Sequence, residues 1–114
     1  MIEDESVPTA GKIRAARLFE GERSQYLHRS VVDVEGAVLL VSQFTLYGDI
    51  RKGRRPSFDA AASPTDARAI CLDLVRELRR ASLPVATGEF QATMRVELVN
   101  DGPDTILIDS ARQF

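Results

Sequence analysis

The segment from Pro64 to Ser82 constrains the fold most, because its pattern predicts a long helix with a single apolar face. Ser63 is a natural N-cap, Pro64 stands at the first helical position, and Asp66 lies in the first turn, where the helix dipole favours negative charge. The apolar residues recur at helical spacing and are Ala67, Ile70, Cys71, Leu74, Val75 and Leu78. We expect this face to pack on a sheet.

Two further patterns predict that sheet. An apolar run from Ala37 to Leu46 follows a Glu-Gly turn and predicts a central strand buried on both faces. Residues 91–98 alternate as in a half-buried strand, and residues 105–109 return as the partner strand after a turn at Asn100–Pro103. The fold class expected is α+β, with a mainly antiparallel sheet or partial barrel on which the one long amphipathic helix packs.

The N-terminal part predicts two shorter elements, a helix at Val7–Ala15 and a strand at Ala16–Phe19. The chain has 114 residues, of which 44% are hydrophobic, and neither a linker nor an internal repeat divides it. We therefore expect residues 1–114 to form a single domain. The acidic N-terminus and the absence of a long apolar segment predict a cytoplasmic protein without a membrane partner.

The charged and metal-binding residue types exclude several classes of function. The formal net charge is −2, so contact with nucleic acid requires a local basic patch. The basic cluster is a Gly- and Pro-rich loop with Arg51, Lys52, Arg54 and Arg55. Cys71 and His28 are the single residues of their types, so we expect no intramolecular disulfide, no metal site and no thiol–imidazole pair.

Ser42, Gln43 and Thr45 are polar residues on a strand predicted to be buried, where an unpaired polar group costs about 1 to 3 kcal/mol. Two interpretations remain open from the residues alone. The strand reaches the surface at Ser42, or these residues form a pocket floor whose hydroxyl and N–H groups face a developing oxyanion. Nothing ties His28 to Thr45, so an activated hydroxyl nucleophile has little support.

Three segments, taken together, resemble the D-aminoacyl-tRNA deacylase (D-tyrosyl-tRNA(Tyr) deacylase) family in order and in spacing. They are residues 41–49 (VSQFTLYGD), 52–58 (KGRRPSF) and 99–103 (VNDGP). The resemblance implies a cytoplasmic hydrolase that cleaves the ester joining a D-amino acid, or glycine mischarged on tRNA-Ala, to the 3′-terminal adenosine of tRNA. It also implies a homodimer that proofreads for translation without a cofactor, with its active site at the subunit interface.

The resemblance also implies roles for individual residues. The pocket-lining catalytic motif corresponds to Ser42, Gln43, Phe44 and Thr45, with the backbone at Phe44 and Thr45 polarising the ester carbonyl. The Gly-cis-Pro motif, whose carbonyls enter the partner's pocket and exclude L-amino acids, corresponds to Gly102 and Pro103. Because the 2′-hydroxyl of the terminal ribose assists the attacking water in this family, no protein base is required.

The tRNA-binding residues implied in this way fall into two groups. The basic loop would contact the phosphate backbone through Arg51, Lys52, Arg54 and Arg55. The segment that holds the terminal adenosine corresponds to Phe90, Ala92 and Met94.

The chain differs from the family pattern at three places. Gln91 stands where glycine is usual, and Asp104 stands where a small apolar residue usually follows the Gly-Pro pair. Family members also carry a few tens of residues, forming two opening strands, ahead of the point that matches Met1, so we expect a shortened domain. Two alternatives follow: a non-catalytic homologue that binds tRNA or dimerises, and a deacylase with altered chirality.

Overall fold

The computed structural model describes residues 5–113, which contain two α-helices and a two-stranded sheet. In chain order the elements are α1 (Ser6–Ala15), β1 (Val38–Leu40), a short 3-10 helix (Phe44–Tyr47), α2 (Pro64–Arg80) and β2 (Val85–Thr87). The α+β class is confirmed.

Helix α2 begins where its sequence predicts. The Ser63 hydroxyl accepts a hydrogen bond of 3.2 Å from the backbone N–H of Asp66, which satisfies one of the free donors of the first turn. The helix ends at Arg80, two residues before the predicted end, because Ser82 adopts a left-handed backbone with φ 60° that cannot continue it.

The apolar face of α2 packs mainly against α1, whose predicted position is confirmed, and also contacts β2. The buried cluster consists of Ala10, Val31, Leu78 and Leu83, and Leu78 has no solvent-exposed surface. Half-buried side chains surround it: Ile13, Val38, Leu40, Leu74 and Val85. The helix thus covers another helix and the end of a small sheet, and the broad sheet expected beneath it does not form in the described residues.

The sheet is parallel, so the expected antiparallel sheet or partial barrel is wrong for residues 5–113. Val38 pairs with Val85 and Leu40 with Thr87. The connection from β1 to β2 contains α2, and a helical crossover of this kind is what parallel neighbours need, whereas an antiparallel pair can use a tight turn.

The predicted central strand at Ala37–Leu46 is also wrong beyond Leu40. A strand forms only where a neighbouring strand can hydrogen-bond to it, and β2 is three residues long. After β2 the chain makes a turn, closed by a hydrogen bond from the Ala92 N–H to the Glu89 carbonyl. Past Leu40 the chain forms the 3-10 helix, where the Leu46 side chain is 82% exposed. The apolar run predicted extended backbone but could not predict the length of its partner.

The remaining predicted strands do not form as strands within the described chain. Residues 91–98 and 105–109 belong to no strand, so the expected hairpin is wrong, and Leu98 and Val99 are 69% and 90% exposed. The strand predicted at Ala16–Phe19 is reduced to one antiparallel bridge between Phe19 and Arg29. Alternation of residues predicts two faces of an extended chain, but pairing depends on distant residues.

Candidate functional site

The parallel pair brings two of the predicted motifs to the same edge of the sheet. Residues Ser42–Thr45 follow β1, and residues Phe90–Met94 follow β2. The Gly88 N–H donates to the Leu40 carbonyl at 3.1 Å, one step beyond the paired residues. Because parallel strands end at the same edge, the two motifs leave the sheet side by side.

The motif Ser42–Thr45 lies at the surface of the chain. Ser42 is half-buried and the next three residues are exposed, while the Gln43 side-chain amide donates to the Thr45 hydroxyl. Because β1 ends at Leu40 and residues 43–45 are exposed, the motif does not lie on a buried strand. The first hydrogen bond of the 3-10 helix runs from the Leu46 N–H to the Gln43 carbonyl at 3.4 Å, so the N–H groups of Phe44 and Thr45 lie ahead of it.

A contact between two aromatic rings stabilises this short helix. The rings of Phe44 and Phe58 meet edge to face, with centroids 4.9 Å apart and planes at 67°. A Cβ at Gly48 would lie 3.1 Å from Phe58 Cε1 and 3.1 Å from the Thr45 carbonyl oxygen. Gly48 therefore lets the Phe58 ring approach the backbone that carries the motif.

The basic loop is closed at its base. Asp49 and Ser57 exchange two backbone hydrogen bonds of 2.8 and 2.9 Å. The Asp49 carboxylate accepts from the Arg51 N–H at 2.9 Å and from Arg51 Nη2 at 2.7 Å. Arg51 is thus held by Asp49, whereas the other cations of the loop, Lys52, Arg54 and Arg55, are exposed at its tip.

The ion pair with Arg51 lowers the pKa of the Asp49 carboxyl, so titration of this group reports on the base of the loop. The side-chain and backbone hydrogen bonds from Arg51 lower the pKa of Asp49 from 3.8 to about 2. Because the folded pKa lies below the ordinary one, the pair stabilises the loop above pH 3.8 and ceases to do so as the pH falls through about 2.

We expect Arg51→Gln to raise the pKa of Asp49 toward 3.8, since the charged donor is removed and the backbone donor stays. Carboxyl carbon NMR during an acid titration measures the midpoint directly. The neighbouring variant Lys52→Gln is the matched control and should leave the midpoint in place. A midpoint that stays near 2 in Arg51→Gln would show that the guanidinium is not the cause.

The segment after β2 is held by contacts with α2 and with itself. The Arg68 guanidinium carbon lies 5.0 Å from the centroid of the half-buried Phe90 ring, a cation–π contact. The Glu89 N–H points at the Met94 sulfur at 3.3 Å, and Ala92 is exposed. Gln91 has a left-handed backbone with φ 65°, a conformation that glycine adopts more readily than other residues.

The turn at residues 100–105 is ordered by side chains. The Asn100 side-chain carbonyl accepts from the Asp104 N–H at 2.9 Å, and the peptide bond between Gly102 and Pro103 is cis. The Tyr26 hydroxyl donates to the Asp104 carboxylate at 3.2 Å, and this bond together with the negative charge raises the pKa of Tyr26.

Sequence reasoning missed Tyr26 and the part that Arg68 plays. Tyr26 lies in a polar stretch that predicts no contact, and its partner is 78 residues away in the chain. Arg68 does not belong to the apolar face that periodicity identifies, and its contact with Phe90 depends on where β2 leaves the sheet.

Three further observations concern metal binding, the cysteine thiol and membrane-spanning helices. Within residues 5–113, no group of three or more His, Cys, Asp or Glu side chains could hold a metal ion. Burial raises the pKa of the Cys71 thiol, as expected for a small residue on the packed side of α2. No helix in that range is long and apolar enough to cross a membrane.

Comparison with known proteins decides the family. A family model described as D-Tyr-tRNA(Tyr) deacylase matches residues 3–109. The chain belongs to the D-Tyr-tRNA(Tyr) deacylase family. The resemblance of the three motifs, which together occupy a fraction of that range, is thus confirmed over most of the chain.

Relatives of this deacylase family member match its sequence over most of its length. A protein named D-aminoacyl-tRNA deacylase from Koribacter versatilis is 56% identical over 112 residues, which are 98% of this chain and 74% of the relative. Proteins of the same name from Heliobacterium modesticaldum and Thermotoga petrophila are 57% and 51% identical, over 88% and 92% of this chain. The matches span 66% and 70% of those two relatives.

A solved structure shares the fold. The protein titled c-Myc DNA Unwinding Element Binding Protein superimposes with a TM-score of 0.81 at 35% sequence identity, covering 93% of this chain and 72% of that protein. The arrangement of two helices on a short sheet is therefore that of a known structure.

Proposed function

We propose that this chain is a D-aminoacyl-tRNA deacylase, which hydrolyses the ester joining a D-amino acid, or glycine, to the 3′-terminal adenosine of tRNA. The observation that carries the proposal is the 56% identity over 112 residues with a protein of that name. The three matching motifs support it, as does the placement of the Ser42–Thr45 motif and the Phe90–Met94 segment at one edge of the sheet. The compartment expected for such an enzyme is the cytoplasm, where aminoacyl-tRNA is used.

In the proposed reaction the N–H groups of Phe44 and Thr45 donate to the ester carbonyl oxygen. These donors lie at the start of the 3-10 helix, ahead of its first hydrogen bond, so they can face a substrate. Water attacks the carbonyl carbon, the bond to the ribose 3′-oxygen breaks, and a proton passes from the water to that oxygen. The ribose 2′-hydroxyl orients the water, so the protein contributes polarisation and position.

Selection against L-amino acids is assigned to the carbonyls of Gly102 and Pro103, which would occupy space in the partner subunit's pocket. Exclusion by a clash imposes nothing on glycine, which has no side chain to reject, so D-amino acids and glycine should both be accepted. A dimer is supported by exposed apolar residues on both sides of this turn, among them Leu98, Val99, Ile106 and Leu107.

The terminal adenosine is assigned to the segment with Phe90, Ala92 and Met94. Its position beside the Ser42–Thr45 motif supports this, because the nucleoside must lie next to the ester that it carries. The exposed cations of the basic loop, Lys52, Arg54 and Arg55, would contact phosphates nearby, with Arg51 held in place by Asp49.

Side-by-side hydrolysis of D-tyrosyl-, glycyl- and L-tyrosyl-tRNA tests the proposal. We expect the chain to hydrolyse the first two and to leave the third at its spontaneous rate in buffer, which is measured in parallel. Hydrolysis of none of the three would overturn the enzyme assignment in favour of a non-catalytic homologue. Equal hydrolysis of the L-ester would overturn the role of Gly102 and Pro103.

A further inference from the structure

The outer face of α2 carries arginines that the proposed function does not use. Arg68, Leu72, Arg76 and Arg80 follow one another at intervals of four residues, and Arg79 lies three residues after Arg76, so the arginines form one stripe along the helix. The stripe is about 18 Å long, because a helix rises about 1.5 Å per residue.

The stripe borders two hollows that meet at Leu72. One has a volume of about 290 Å³ and is lined by Pro64, Thr65, Arg68, Ala69, Leu72 and Gln91. The other has a volume of about 470 Å³ and is lined by Leu72, Val75, Arg76, Arg79 and Arg80. We call the pair of hollows the arginine groove.

The arginines of the groove are oriented but open to solvent. Arg76 pairs with Asp73 at 3.1 Å and Arg80 pairs with Glu77 at 3.2 Å. The two guanidinium side chains remain 65% and 69% exposed, so these ion pairs are weak and can exchange for another anion. Arg79 donates to the Val85 carbonyl at 2.9 Å, which fixes its position beside β2. Because the carbonyl is neutral, this bond does not neutralise the positive charge of Arg79.

We propose that the arginine groove binds the phosphate backbone of the tRNA acceptor end. Guanidinium groups match phosphate oxygens with paired N–H donors. A stripe of about 18 Å is long enough to meet several successive phosphates of one strand. The groove therefore offers a row of donors at a spacing that a nucleic acid backbone can meet.

Two features favour RNA over a protein partner. Leu72, 56% exposed, is the large apolar side chain in the groove that is open to solvent, whereas the centre of a protein interface needs aromatic and apolar anchors. The groove also ends at Gln91, next to Phe90, which Arg68 contacts. The identity of the RNA rests on the proposed function, since the chain end held near Phe90 would continue into this groove.

Binding of an uncharged, fluorescently labelled acceptor-stem hairpin of tRNA tests the groove by anisotropy. We expect Arg76→Gln/Arg80→Gln to weaken binding about tenfold and to reduce the slope of log affinity against log salt by about 1.5, because two phosphate contacts are lost. The matched control is Arg17→Gln/Arg23→Gln, which removes the same charge from exposed positions outside the groove. It should change affinity less than about twofold.

A second double variant is expected to raise the affinity for the hairpin, a result that loss of folding could not produce. Asp73→Asn/Glu77→Gln frees Arg76 and Arg80 from their ion pairs and should tighten binding. Unchanged affinity in the arginine pair, or an equal loss in the control pair, would overturn the proposal. So would a change in sedimentation of the arginine pair without a change in RNA affinity, which would assign the groove to a protein contact.

The hairpin carries no ester, so the groove and the proposed function can fail separately. If the unaltered chain binds the hairpin through the groove but hydrolyses no aminoacyl-tRNA, the groove stands and the enzyme assignment fails. If it hydrolyses D-tyrosyl-tRNA and the arginine variants bind like the unaltered chain, the enzyme assignment stands and the groove fails.

Discussion

Replacing Gly102 with alanine is expected to lower the preference for D- over L-tyrosyl-tRNA, measured as the ratio of their kcat/KM values, about 100-fold, the size of effect that a displacement of about 1 Å can have. Gly102 has φ 149°, a backbone region that L-residues avoid. Its added Cβ would lie 2.9 Å from the Asp104 backbone nitrogen and 2.8 Å from the Asp104 Cγ. The carboxylate can swing away, but the backbone atom cannot, so the turn that carries the selective carbonyls must shift.

Gly53 provides a control with nearly the same backbone conformation. Its φ is 152°, and a Cβ there would meet nothing within 4 Å. Gly53→Ala should therefore show the backbone penalty alone, about 1 to 3 kcal/mol of stability, without a change in the preference for D- over L-esters. Hydrolysis rates for both esters and urea unfolding of both variants separate the two effects. Equal losses of the preference for D- over L-esters in the two variants would mean that crowding by Asp104 does not matter.

Replacing Leu78 with alanine is expected to lower the free energy of unfolding by about 3 kcal/mol. Leu78 is the largest side chain with no exposure and belongs to the buried cluster between the two helices. A domain of ordinary stability has about 5 to 15 kcal/mol in total, so a loss of this size removes a large part of it.

The matched control for this variant lies on the same helix. Leu72→Ala deletes the same atoms from a side chain that is 56% exposed and should change stability by less than about 0.5 kcal/mol. Urea unfolding followed by circular dichroism gives both values. A smaller loss in Leu78→Ala than in Leu72→Ala would contradict the position of the buried cluster.

The parts of the fold that could be predicted are those set by neighbouring residues. Ser63 and Asp66 are three positions apart, and their hydrogen bond forms as the sequence indicates. The end of β1 depends instead on β2, which is 45 or more residues further along the chain, and the apolar pattern after Leu40 carries no information about that distance. The direction of pairing could not be predicted for the same reason.

The same division applies to the candidate site. The motif at Ser42–Thr45 and the Gly102–Pro103 pair could be found from sequence because each is continuous. The contacts of Tyr26 with Asp104 and of Arg68 with Phe90 join distant segments, and neither has a local signal. At Gln91 the sequence shows a difference from the resembled pattern, and the structure adds that the backbone there is left-handed, which no neighbouring residue predicts.

The three-residue pairing of β1 with β2 has a thermodynamic consequence for ligand binding. The two motifs at the edge of the sheet belong to segments that this short ladder and the Gly88–Leu40 hydrogen bond hold together. A ligand that contacts both segments would act as a reversible cross-link between them. Its binding energy would then be coupled to closure of the ladder, so that substrate stabilises the sheet to the same extent that the sheet favours substrate.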